Sequence, residues 1–393
     1  MPGSVFVASA RTPIGKLSGS LSPLSATELG GRAIAAALER AGMAGDQVDA
    51  VVLGQVLQAG RGQNPARQAA VAGGIPMDVP AVTVNAVCLS GLHAVAEADR
   101  MIQAGEADVV VAGGMESMTG APHLLPGARA GFRLGDATAV DSLVADGLWC
   151  AFDDVHMGAG TEAYAKAAGI SRQAQDDFAA RSHQRAAAAA KDGRLAAEIV
   201  PVEVPQRGDP LVVDADEGVR PDTTAESLAR LRPAFAAEGS ITAGNASQIS
   251  DGAAAVVVAS RARADELGLA ARAELVGSAM VAGPDPSLLT QPSRAIARAL
   301  ERAGRTLADV DLFEINEAFA AVCLASIDDL GIDPERVNVN GGGIALGHPI
   351  GMSGARLVVT LAEELRRRGG GLGVAALCGG GGQGEAAVLE VAR

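Results

Sequence analysis

The sequence predicts an α/β fold made of two duplicated halves, with a segment inserted between them. Three observations carry that expectation. First, short matches recur in one order. Ala37-Leu38-Glu39-Arg40-Ala41-Gly42 returns letter for letter as Ala299-Leu300-Glu301-Arg302-Ala303-Gly304, and Val48-Asp49 returns as Val310-Asp311 at the same offset. Val84-Asn85, Ser90-Gly91 and Val111-Ala112-Gly113-Gly114 are answered by Val339-Asn340, Ser353-Gly354 and Ala376-Leu377-Cys378-Gly379-Gly380. One short match can arise by chance; five in order indicate duplication. Second, the strand candidates are unbroken apolar runs rather than alternating ones, as in sheets covered on both faces. Third, residues 119–246 interrupt the repeat with irregular sequence containing Pro and Gly.

Along the first half the pattern reads as a helix over 25–42, a strand over 48–56 and a helix over 64–73. It continues with a strand over 81–84, a helix over 89–104 and a strand over 107–112. Alternation of this kind places the chain in the α/β class. The interrupting segment holds one long helix, Ser171 to Lys191, ended by Gly193, and is expected to lie over the core, where loops carry ligand contacts. Residues 253–259 read as a buried strand returning to the first half. The expected units are therefore 1–118 completed by 247–269, an inserted loop domain over 119–246, and a second half over 270–393.

Composition narrows the function classes. Hydrophobic residues make up 48% and aromatic residues 2%, with 50 Gly, so close-packed elements and glycine turns replace aromatic surfaces. A net charge of −14 argues against nucleic-acid or anionic-membrane binding. The four cysteines, at 88, 150, 323 and 378, form no CxxC pair, which argues against a metal site or disulfide framework and suits a reducing, cytoplasmic setting. No signal peptide or membrane span is read.

Four places could carry chemistry. Cys88 follows a strand and precedes Ser90-Gly91, so its thiol falls at a helix N-terminus, where the dipole would favour thiolate; a buried packing cysteine is the alternative. His348 stands in Gly347-His348-Pro349-Ile350-Gly351, a tight loop that suits either a structural histidine or a general base. Cys378 ends the strand Leu372 to Leu377, before a glycine run whose amides can approach a ligand. That run fits GxGxxG from Gly379 to Gly384, but with only nine residues after it there is no crossover helix for a dinucleotide site. Asn316, at the end of the strand Val310 to Ile315, is an oxyanion donor or a helix cap. Together they make a nucleophile, a base and a second thiol at strand ends, which suits acyl transfer through a covalent thioester. Cys150, Cys323, His93 and His183 read as packing or structural residues.

At these residues the chain resembles the thiolase family along nearly its whole length. The resemblance rests on Arg11-Thr12-Pro13-Ile14-Gly15, Gln63-Asn64-Pro65-Ala66-Arg67-Gln68-Ala69, the Asn-x-x-Cys-x-Ser-Gly stretch at 85–91, and Gly113-Gly114-Met115-Glu116-Ser117-Met118. It continues in Thr242-Ala243-Gly244-Asn245-Ala246-Ser247, Asn316-Glu317-Ala318-Phe319, Ala345-Leu346-Gly347-His348-Pro349-Ile350-Gly351 and Cys378-Gly379-Gly380-Gly381. The resemblance implies a five-layer αβαβα core, a homodimer or homotetramer, and reversible cleavage or Claisen condensation of a β-ketoacyl-CoA. It implies no cofactor, coenzyme A being a substrate, and no metal. It assigns Cys88 as the acylated nucleophile, His348 as its base and Cys378 as the acid/base at the α-carbon. Asn316, through a water, and His348 would form one oxyanion hole, and the amides of Cys88 and Gly380 the other. Ser247, His156, Arg220, Met157, Ala243, Phe235, Ala318, Phe319 and Leu288 would contact the acyl-CoA.

The chain departs from the family pattern at Gln248 and Ser250, at Leu288-Leu289-Thr290-Gln291-Pro292-Ser293-Arg294, and at Gly160-Thr161-Glu162-Ala163. These are expected to touch the acyl chain and pantetheine rather than the nucleophile or bases, and so to bear on substrate identity. A ketoacyl synthase type of condensing enzyme would lack Cys378. A non-catalytic acyl-CoA-binding protein would have lost one of Cys88, His348 and Cys378. A thiol redox protein would need a Cys88–Cys378 disulfide that the spacing does not support.

Overall fold

A computed structural model describes residues 4–393. The first half contributes β1 (Ser4–Arg11), α1 (Ala26–Ala41), β2 (Ala50–Gly54), α2 (Pro65–Ala72), β3 (Ala81–Val84), α3 (Ser90–Gln103) and β4 (Val109–Ser117). The intervening segment carries α4 (Met157–Ala167) and α5 (Arg172–Lys191). Then come β5 (Ser250–Ser260), β6 (Ala273–Ala282), α6 (Gln291–Ala303), β7 (Leu312–Ile315), α7 (Ala320–Leu330), α8 (Ser353–Arg367), β8 (Gly371–Gly379) and β9 (Gln383–Val391).

The repeated hexapeptide is one helix ending used twice. α1 begins with a capping box between Ser25 and Glu28 and ends at Gly42, φ 67°. α6 ends the same way at Gly304, φ 63°. Both glycines take the left-handed conformation that L residues resist, which frees the chain to turn into the next strand.

The strands pair in the order β7-β8-β9-β6-β1-β5-β4-β2-β3. This order is a palindrome of the duplication, with β1 matching β6, β5 matching β9, β4 matching β8 and β2 matching β7. Among the described residues, the half-sheets join where Ser4–Phe6 pairs with Ala273–Leu275. Helices α1 and α2 cover the outside of the first half-sheet, and α6 and α7 flank the second. Between the half-sheets lie α3 and α8, which touch each other and strands of both halves. The layers are therefore αβαβα. Double coverage explains why Val109–Ala112 and Ala253–Ala259 are buried residue after residue.

β4 extends to Ser117, beyond the expected end at 112, because Gly113 and Gly114 keep pairing with Ala255 and Ala254 of β5. The segment between the halves is fastened by a buried ion cluster. Arg11 at the end of β1, fully buried, meets Glu198 at 2.8 Å and Asp216 at 2.7 Å. Each partner offsets the desolvation of the other's charge.

Candidate active site

The chain places Cys88 on a strained, stapled turn. β3 stops at Val84, and the Asn85 side chain then accepts from the Val87 amide at 2.9 Å. Ser90 Oγ accepts from the Ala86 amide at 2.9 Å and donates to the Val87 carbonyl at 2.6 Å. Val87 sits at φ 53°, which a β-branched residue adopts only when its surroundings enforce it. The turn presents the next residue, Cys88, at the entrance to α3.

The longer segment from Asn338 to Met352 presents His348. The His348 amide donates to the Gln248 carbonyl at 3.0 Å. Its Nδ1 lies 2.6 Å from Ser353 Oγ, whose own hydrogen goes to the Pro349 carbonyl at 2.8 Å. The serine can then only accept, so the ring proton belongs on Nδ1 and Nε2 carries the free lone pair. Asn316, fully buried, holds its Nδ2 3.4 Å from Nε2. Its backbone amide donates to Ala376 of β8 at 2.9 Å, which fixes it to the sheet. Ser353 stands out in the sequence only as the repeat partner of Ser90; nothing in the sequence signals its place beside the imidazole.

One sequence expectation is corrected here. Gln248 and Ser250 do touch His348, at its backbone amide. Besides the Gln248 carbonyl, Ser250 Oγ lies 3.3 Å from the His348 amide, and Gln248 Nε2 donates to the carbonyls of Gly218, Ile344 and Ala345 at 2.9–3.2 Å. Both departures brace the histidine loop. The reason is β5: it begins at Ser250, so the residues before it run directly beneath that loop.

Cys378, on β8, is buried. A cavity brings Cys88, His348, Cys378 and Gly380 together, with His156, Met157, Ser247, Leu288, Ala318 and Phe319 on its walls. Phe235 stands behind His156, ring on ring at 4.8 Å, and edge-on to Phe319 at 6.4 Å. Asn316 adjoins through His348. Arg220 and Ala243 are exposed and do not line this cavity. A larger open groove by Asp192, Arg194 and Glu364 contains none of these residues.

The electrostatics differ from the sequence expectation. Burial pushes the Cys88 thiol up to about 12, against the amides of Gly380 and Cys88 itself, which favour thiolate. Desolvation thus exceeds what these two amides return and favours the neutral thiol. Burial also pulls His348 down to about 3, with the nearby Arg356 charge acting in the same sense, so the imidazole is neutral. Burial and the neighbouring Cys88 sulfur raise Cys378 as well. Among the described residues, no cluster of His, Cys, Asp and Glu is arranged to hold a metal ion.

The family profile "Thiolase, N-terminal domain" matches residues 4–262, and "Thiolase, C-terminal domain" matches residues 269–391. The chain is 59% identical over 387 residues to a "Probable acetyl-CoA acetyltransferase" of Mycolicibacterium smegmatis, covering 98% of this chain and 100% of that one. It is 53% identical over 392 residues to an "Acetyl-CoA acetyltransferase" of Cupriavidus necator, covering 99% and 100%. It is 54% identical over 388 residues to another of that name from Allochromatium vinosum, covering 98% of each. With both halves matched from end to end, the chain belongs to the thiolase family.

Proposed function

We propose that this protein is an acyl-CoA:acetyl-CoA C-acyltransferase that cleaves and forms β-ketoacyl-CoA through an acyl-cysteine. The observation that carries the reading is the convergence of Cys88, His348, Cys378 and Gly380 on one cavity.

In the cleavage direction the Cys88 proton passes to His348 Nε2 as the sulfur attacks the β-keto carbon. The amides of Cys88 and Gly380 receive the oxyanion. The carbon–carbon bond breaks, and the departing enolate, held by Asn316 and His348, takes its proton from Cys378. Acyl-Cys88 remains. Coenzyme A then gives its thiol proton to Cys378 and attacks the acyl group, while Cys88 leaves and recovers its proton from His348. Every proton returns to its starting group.

Ser247, His156, Met157, Phe235, Ala318, Phe319 and Leu288 would hold the pantetheine and acyl group. Arg220 and Ala243, at the surface, would reach the nucleotide end of coenzyme A. No resident cofactor is needed. A homodimer is supported by β3, an edge strand with Val82 outward-facing at 55% exposure and Met77 at 64% nearby; unpaired edges of this kind invite a partner strand. No described helix is long and apolar enough to cross a membrane, and we place the enzyme in the cytoplasm on its free thiols.

The test is coenzyme A-dependent cleavage across a β-ketoacyl-CoA series from acetoacetyl to long chain, with 3-oxoadipyl included. Loss of any β-ketothioester that requires added coenzyme A is the expected result. Absence of cleavage throughout would overturn the assignment.

A further inference from the structure

Glu116 has no part in the chemistry above, yet it is fully buried on β4. Its Oε2 accepts from the amides of Val56 and Gly351, both at 3.0 Å, and its Oε1 from the amide of Leu57 at 3.2 Å. These amides belong to the two segments that frame the reacting groups. Gly351 closes the His348 loop. Val56 and Leu57 leave β2 and pack with Ile350, Met118 and Leu143 into the small apolar cluster against which Cys88 rests.

The contact leaves little play. A β-carbon on Gly114, two residues before Glu116, would collide with the Gly351 carbonyl, and one on Gly351 would lie 2.8 Å from Glu116 Oε2. Three N–H donors converge on a side chain that only accepts. A carboxylate fits that donor set, whereas an amide would turn its own N–H toward one of them. Burying a carboxylate is costly unless such donors satisfy it.

We propose that Glu116 is a positioning residue for acyl transfer, tying the His348 loop and the wall behind Cys88 to one strand and so setting the spacing of base and nucleophile. The inference rests on the acyltransfer reading for its turnover test, but not for its alkylation test. The titratable groups facing Glu116 are Asp251 on β5 and the Cys88 thiol. Desolvation raises Glu116 to about 7, with the Asp251 charge adding to it. Below that pH the carboxyl gains a proton and one acceptor position is lost.

The experiment is Glu116→Gln in the full chain, read in two ways. In thiolysis, kcat falls about a hundredfold, the scale of an ångström-sized misplacement, while KM for coenzyme A is unchanged. With iodoacetamide, the wild-type rate of Cys88 modification, followed by peptide mass spectrometry, bends near pH 7 and the bend disappears in the variant. A merely structural glutamate would lower melting temperature without removing that bend. Should the glutamine variant not fold, Glu116→Asp keeps the charge, draws it back from the three amides and is expected to lower kcat with KM unchanged. A folded variant with wild-type kcat and an unchanged bend overturns the proposal. If the wild type cleaves no β-ketoacyl-CoA, the functional reading falls, and the alkylation profile still decides the role of Glu116.

Discussion

The two halves of the molecule use one scaffold and differ most in the turn that leads into the central helix. In the first half, β3 pairs with β2 over four residues and Asn85–Leu89 pass directly into α3. In the second, the counterpart of β3 shrinks to a single bridge between Val337 and Phe313, and the chain wanders through Asn338–Met352 before α8 begins. The short turn holds its own shape: its hydrogen bonds run among Asn85, Ala86, Val87 and Ser90. The long one is held by its neighbours. Glu317 accepts from Ile344, Ser182 of α5 bonds both Glu317 and the Gly342 amide, and Gln248 grips Ile344 and Ala345. Duplication thus supplied two equivalent strand-to-helix junctions. Divergence made one a rigid mount for Cys88 and the other a supported mount for His348.

The largest effect should come from the short turn. Cys88→Ser is expected to abolish acyl-enzyme formation from acetyl-CoA, whereas Cys378→Ser still acquires the acyl group and fails at the α-proton step. Intact-protein mass spectrometry separates the two, and an acylated Cys88→Ser protein would erase the division of labour drawn here.

Next is the support that only the long loop uses. His183, buried on α5 beside Ser182, accepts from the Arg220 amide and is held down at about 4 by burial and by the Arg220 charge. Its folded value lies below the unfolded one of about 6.5, so below pH 6.5 the unfolded chain takes up a proton that the folded chain refuses. Stability is therefore lost as pH falls from about 6.5 toward 4. Between pH 7 and pH 5 this histidine should account for about 2 kcal/mol of that loss. In His183→Gln, denaturant melts at the two pH values should differ by correspondingly less; an undiminished difference would remove α5 from the comparison.

The smallest effect concerns the ring orientation. Ser353→Ala removes the acceptor for His348 Nδ1–H and should lower kcat about tenfold, the worth of one hydrogen bond. Steady-state kinetics with an unchanged KM would show that the loop itself stays in place.

Much of the scaffold was legible in the letters, because helix ends and buried strands are local signals. The hexapeptide at 37–42 and 299–304 marks two αL terminations, and the valine runs mark doubly covered strands. The site was legible as residue types at strand ends. What escaped depends on distant chain. Nothing near Cys88 reveals the surrounding groups whose desolvation opposes its ionisation. Gln248 reads as a substrate contact until β5 is seen to start under His348. Ser353 and Glu116 gain meaning only from what stands opposite them, and β4 runs on through Gly113 because β5 is there to pair with it.

The neutral state of Cys88 reaches beyond turnover. Oxidants, electrophilic metabolites and soft metal ions attack thiolates and largely spare thiols. A thiol that its surroundings hold neutral offers such reagents little thiolate, so the desolvation that makes Cys88 slow to ionise also makes it slow to be oxidised or alkylated.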